Sequence, residues 1–271
     1  TISEFKNIYF WEWFHRLWAR LIAVAAVLPL VYFVFKKIVF KDDIIKILIA
    51  IALGAVAGTV GWIMVKSGLK DNTVLVNPVN LMSHILVATI IVAYVLRVGL
   101  EYLYPKQHTP FDNKNRIFFL VLIVLVFIQI GLGSLVAGSK AALVCTTFPL
   151  MNGNYFPSEI NFANGDVYEF STKLLFQFMH RNVAYFVFFY VIFLFFKTKN
   201  VQAQYQFHRS RWLLLGMVAL QVFLGIFTLI ASQGKVPIVL GVCHQLGAFL
   251  LLIFSIEAHY FIKYRAIENE H

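Results

Sequence analysis

The chain contains a tandem repeat in which histidines return at matching positions. The stretch EWFHR in the first half recurs as QFMHR in the second, and SHILVA recurs as CHQLGA. The two copies are offset by 165 residues from His15 to His180 and by 160 from His84 to His244, which indicates duplication of a whole structural unit. The repeated histidines are His15, His84, His180 and His244, and Gly61 recurs as Gly225. The repeat therefore predicts one pair of imidazoles in each half.

A pair of imidazoles in an apolar segment is typical of a metal centre. One buried ionisable residue can be a structural polar group, but four in duplicated positions favour a function. Zinc usually takes three or four protein ligands, and the sequence places no acidic or thiol cluster beside either pair. Heme iron needs only two axial ligands, which facing helices of a bundle can supply. We therefore expect one heme between His15 and His84 and another between His180 and His244.

The two halves differ three residues before the first histidine of each pair. Glu12 holds this position in the first half and Gln177 holds it in the second. On a helix a spacing of three puts both side chains on one face. A carboxylate beside only one heme suggests proton handling, so Glu12 is the candidate general base. The alternative is a Glu stabilised at a helix N-terminus by the helix dipole.

An arginine follows the first histidine of each pair. Arg16 and Arg181 could bind heme propionates through bidentate hydrogen bonds. Snorkelling of the guanidinium to the membrane interface is the competing interpretation for both.

The elements that carry these residues are predicted to be membrane helices. Hydrophobic residues make up 60% of the chain and charged residues only 13%. Apolar runs of about 20 residues, the length that crosses a bilayer, predict seven helices, and no alternating barrel pattern is seen. They lie at 17–37, 44–66, 79–103, 116–138, 173–197, 210–233 and 237–263. The fold class is therefore all-α and polytopic.

The positive charge is predicted to face the inside of the membrane. The net charge is +10, and Lys and Arg concentrate after the first, third, fifth and seventh helices. By the positive-inside rule these loops and the C-terminus lie inside, so the four histidines lie toward the outer side. Basic loops of a membrane protein account for the charge, and no nucleic-acid partner is expected.

The repeat also predicts the domain organisation. The second half holds four helices and the first only three, so we expect eight helices in two tandem four-helix bundles, with the first helix absent from this chain. The expected divisions are 1–105 for the first bundle and 115–265 for the second.

Six stretches give the chain a resemblance to the heme A synthase family. They are EFKNIYFWEWFHR, GWIMVKSGL, SHILVA, LVAGSKAALVCTTFPLM, FQFMHR and HQLGAFLLL, in the family's order. The resemblance implies two four-helix bundles, a catalytic Glu12, substrate heme at His15 and His84, and a heme b cofactor at His180 and His244. Cys145 stands alone in its loop, so the chain resembles the branch without outer-loop cysteine pairs, found in mitochondria and many bacteria.

The resemblance implies oxidation of the C8 methyl of heme O to the formyl group of heme A, for terminal oxidases. O2, an electron donor, heme O synthase and oxidase assembly factors are the implied partners, in a bacterial cell membrane or a mitochondrial inner membrane; a homo-oligomer stays open. Either one ligand of the His15 and His84 pair dissociates for O2, or water attacks an oxidised methyl with Glu12 as base. The alternative function is a diheme b-type electron-transfer cytochrome, against which the location of all four histidines on one side counts.

Overall fold

The described part of the chain is helical. A computed structural model describes residues 2–68, 76–104, 114–161 and 166–263. The helices are α1 (Ile2–Phe35), α2 (Lys41–Ser67), α3 (Pro78–Leu103), α4 (Arg116–Gly138), α5 (Phe170–Lys197), α6 (Tyr205–Ile230) and α7 (Ile238–Phe261), with a short 3-10 turn at Ala141–Leu143. Among the described residues there is no β-strand beyond one isolated bridge between Met151 and Asn154. All seven α-helices are long and apolar enough to cross a membrane, which confirms the all-α polytopic class.

The first helix begins earlier than its apolar run predicts. α1 starts at Ile2 rather than at residue 17, and its membrane-crossing part extends over Tyr9–Phe35. Hydropathy identifies the stretch that lipid can cover, whereas a helix continues through polar residues such as Glu12 and Arg16 as long as nothing interrupts its backbone hydrogen bonds. The EWFHR stretch therefore lies within a helix rather than at its start.

The start of α3 is fixed by its cap. The Asn77 side chain accepts hydrogen bonds from the backbone N–H groups of Val79 and Asn80, at 2.9 and 3.4 Å. Pro78 follows at the first helical position, where its missing N–H costs nothing. This cap sets the register in which α3 presents His84 less than two turns later.

Contacts divide the chain into two compact units, residues 1–59 and 60–271. In the second unit α4 packs against α3, α5 and α7, and α6 packs against α5 and α7. The α4 side chains Phe119, Leu122 and Val126 are almost fully buried in the core of this unit. α4 therefore provides the scaffold on which α3, α5 and α7 are positioned.

The predicted boundary between two bundles falls between α3 and α4. In the structure α3 packs against α4 and α7, and its Leu100 belongs to the same hydrophobic core. The division into 1–105 and 115–265 stays a prediction.

Candidate functional site

His180 on α5 and His244 on α7 lie side by side. Their ring centroids are 6.3 Å apart and the rings are nearly perpendicular, at 83°. The Nδ1 atoms of both are buried and have no hydrogen-bond partner among the described residues. The predicted second pair of imidazoles is therefore brought together by the packing of the second unit.

The spacing of the two rings fits a shared metal ion. Each metal–nitrogen bond is about 2 Å long and each ring centre lies about 1 Å behind its nitrogen, so two imidazoles on one ion have centroids about 6 Å apart. No cluster of three or more His, Cys, Asp and Glu occurs among the described residues. The pair can supply two axial ligands, which is the set that heme iron takes from a protein. Buried Nδ1 atoms without partners also fit rings whose surroundings a bound group completes.

His84 lies at the same level of the second unit as His180. The side chains of Met82 and Leu86, which flank His84 in sequence, lie against Gly131 of α4. The ring of His180 lies against Gly133 of the same helix. Two residues of an α-helix rise only about 3 Å. Three of the four candidate ligands therefore occupy one layer of the second unit.

Gln129 of α4 also contacts His180. Its Nε2 donates to the His180 backbone carbonyl at 3.1 Å and lies 3.4 Å from the ring Nε2. The sequence analysis missed this residue. A signal exists, because Gln129 precedes Gly133 by one helical turn and Gln221 precedes Gly225 in the same way, once in each helix that faces a histidine of this pair.

Gln177 and Arg181 hold the loop that follows α4. Gln177, almost fully buried, donates to the Cys145 carbonyl at 2.8 Å. The Arg181 guanidinium donates to the same carbonyl at 3.3 Å and to the Thr147 carbonyl at 2.9 Å. Beneath these bonds lies a small hydrophobic cluster of Cys145, Met151, Ile160 and Leu174. Arg181 thus has a structural role in this loop, and its contact with a propionate stays a prediction.

The remaining predicted residues lie on α1, in the first compact unit. Glu12, His15 and Arg16 are all exposed there. The Glu12 carboxylate and the Arg16 guanidinium form an ion pair across one helical turn. The pairing of His15 with His84 and the binding of a propionate by Arg16 stay predictions.

Comparisons with known proteins identify the family of the chain. The family described as cytochrome oxidase assembly protein matches residues 1–256. The chain is 38% identical to a heme A synthase of Flavobacterium psychrophilum over 258 residues, covering 93% of this chain and 74% of that protein. It is 36% identical to a heme A synthase of Bartonella quintana over 99% of this chain and 75% of that protein. The chain belongs to the heme A synthase family. The heme A synthase of Rickettsia conorii is 35% identical over 97% of this chain and 77% of that protein.

The cysteines of this heme A synthase family member are both free thiols. Cys145 belongs to the loop after α4 and is buried in the small hydrophobic cluster described above, and Cys243 is exposed on α7.

Proposed function

We propose that this protein is a heme A synthase, a membrane oxidoreductase that converts a methyl group of heme O to the formyl group of heme A. The observation that carries the proposal is the His180 and His244 pair, side by side in a layer that also contains His84. Membership of the heme A synthase family supplies the reaction class.

His180 and His244 would hold heme b, and a bound heme of this kind supplies one-electron transfer. The protein contributes the two imidazoles and their fixed orientation on α5 and α7. Gln129 and the core side chains of α4 hold the α5 backbone in place beside them. Positioning of this kind keeps the ligands preorganised for the group they bind.

His15 and His84 would bind the substrate, heme O, with Arg16 reaching its propionates. Glu12 would accept the proton released as the methyl carbon gains oxygen. One of its carboxylate oxygens is paired with Arg16, but a carboxylate has two oxygens and about four acceptor sites, so the other oxygen stays available. The ion pair with Arg16 then orients the Glu12 carboxylate and leaves one of its oxygens to accept the proton.

The setting of the reaction is the lipid bilayer, in a bacterial cell membrane or a mitochondrial inner membrane. We place the histidine layer toward the outer side and the C-terminus inside, as the distribution of Lys and Arg predicts. O2 is the proposed oxidant and heme O synthase the proposed supplier of substrate. An electron donor and oxidase assembly factors are further proposed partners.

The test is analysis of the hemes made by the protein in cells. Membranes that contain the protein and a heme O synthase are extracted under air, and the hemes are separated and weighed by mass spectrometry. We expect the formylated heme. Heme B and heme O alone, with two hemes bound to the purified protein, would overturn the proposal in favour of a diheme electron carrier.

A further inference from the structure

Each candidate heme ligand of the second unit rests against a glycine of the preceding helix. A Cβ atom built on Gly61 would lie 2.9 Å from Cε1 of His84. The corresponding distances are 3.1 Å from Gly133 to His180 and 3.2 Å from Gly225 to His244. Carbon atoms in van der Waals contact are normally 3.5–4.0 Å apart, so no side chain fits at any of the three positions without displacing the ring.

This close approach is confined to few glycines. Among those in the membrane helices, a Cβ on Gly54, Gly58, Gly99, Gly216 or Gly241 would meet nothing within 4 Å. Gly138 and Gly247 are also tight, but they face Pro78 and Gln221. The three glycines that face a histidine face it through the same atom, the Cε1 carbon between the two ring nitrogens.

We infer that Gly61, Gly133 and Gly225 are positioning residues for the heme ligands. With Cε1 against bare backbone, each ring is fixed in rotation and in distance from the neighbouring helix. The Cε1 carbon carries no lone pair, so this contact uses neither ring nitrogen. The inference rests on the proposed function, which makes these histidines heme ligands.

Alanine at such a position would displace the ring of the histidine that faces it. The helix backbone that carries the new methyl group cannot move away to make room for it. A small-to-large change in a packed contact therefore shifts the facing histidine side chain off its preferred rotamer. Alanine is also the better helix former, so a loss caused by the substitution cannot be attributed to a weaker helix.

The experiment compares Gly133→Ala and Gly225→Ala with Gly216→Ala, a control on α6 where the added methyl meets open space. Each protein is purified in detergent, and its heme b content, its low-spin electron paramagnetic resonance signal and its rate of heme loss to excess apomyoglobin are measured. We expect heme loss to be about tenfold faster in Gly133→Ala and Gly225→Ala, a change that needs only about 1.4 kcal/mol. The control should match the wild type. Equal heme content, signal and loss rate in all four proteins would overturn the inference.

The proposed substrate-heme site is tested separately. Gly61→Ala should lower heme A production while heme b content stays unchanged, whereas Gly99→Ala, in open space on α3 and far from His84, should leave both unchanged. Wild-type production from Gly61→Ala would overturn the assignment of this glycine. A wild-type protein without a bis-imidazole low-spin signal would instead overturn the heme b site of the proposed function, so the two failures are distinct.

A double-mutant cycle keeps the test decisive when one of these glycine-to-alanine variants is unstable. If the methyl on Gly133 acts by striking the His180 ring, Gly133→Ala should destabilise the protein less when His180 is also alanine. We expect the melting temperature of the double variant to lie above the value predicted by adding the shifts of the two single variants. An unchanged effect of Gly133→Ala in both backgrounds would show that the glycine does not act through the histidine.

Discussion

Glu12 and Gln177 hold equivalent positions of the repeat but perform different chemistry. Gln177 must donate an N–H to the Cys145 carbonyl, which an ionised carboxylate cannot do. Glu12 is exposed and accepts a hydrogen bond from Arg16 instead. The amide at 177 therefore suits a carbonyl partner, and the carboxylate at 12 suits a cationic one.

Glu12→Gln tests the catalytic role of the carboxylate. The amide has the same shape but accepts no proton near neutral pH, so we expect both heme sites to be retained and heme A production to fall by at least about a hundredfold. Bound heme and extracted heme A are measured on the same membranes. Asp42→Asn removes an exposed carboxylate in the first turn of α2 and serves as the control. Normal conversion by Glu12→Gln would refute the assignment of the base.

Gln177→Glu tests the structural role of the amide. The substitution replaces a donor with an acceptor facing the Cys145 carbonyl in a buried place, which should cost about 1–3 kcal/mol of the free energy of unfolding. Thermal unfolding in detergent and proteolysis of the loop after α4 report the loss. Gln202→Glu, at an exposed position, should change neither. Unchanged melting and unchanged cleavage of Gln177→Glu would show that this bond does not hold the loop.

At the scale of elements, α6 and α7 are joined by a polar contact as well as by their core. Ser210, fully buried on α6, donates to the Glu257 carboxylate of α7 at 2.8 Å. The exposed Arg209 contacts the same oxygen at 3.3 Å. A buried hydroxyl needs an acceptor, whereas a cation that is 46% exposed to solvent adds little. The hydrogen bond to Ser210 is therefore the stabilising part of this cluster.

Removing the acceptor should weaken the α6 and α7 pair. We expect Glu257→Ala to lower the free energy of unfolding by about 1–3 kcal/mol, because Ser210 loses its partner. Glu257→Gln keeps an acceptor and Arg209→Ala removes only the exposed cation, so each should cost less than about 1 kcal/mol. Thermal unfolding of the three variants measures the order of these stability losses. A larger effect from Arg209→Ala than from Glu257→Ala would contradict this order.

Sequence predicted the helices well where lipid-facing hydrophobicity defines them. α4 has the bounds that its apolar run predicts, whereas α1 extends through polar residues that hydropathy does not recognise as helical. The histidine pair on α5 and α7 followed from the repeat. The contacts of Gly133 and Gln129 with His180 did not, because they depend on the axial register of α4 against α5. Packing of side chains sets that register, and hydrophobic periodicity alone leaves it undetermined.

At the scale of the whole molecule, the basic ends of the helices and the histidine layer are separated along the helix axis. On α5, His180 precedes Lys197 by nearly five turns, which is about 25 Å. Lys197 ends α5 and Lys199 follows it, at the helix end that the positive-inside rule predicts to lie inside. The same rule predicts that the histidine layer lies toward the outer side, with the loop after α4, which Arg181 contacts, beyond it.

Labelling of single cysteines tests this orientation. In a Cys243→Ala background, which removes the exposed native thiol, Ser158→Cys places a thiol on the exposed surface of the loop after α4, and Lys199→Cys places one in the loop after α5. Because the membrane separates these two loops, a membrane-impermeant maleimide added to intact spheroplasts should label only Ser158→Cys. Both should be labelled once the membrane is permeabilised, which controls for reactivity. The reverse pattern would place the histidine layer on the inner side and would require the substrate and the oxidant to act there.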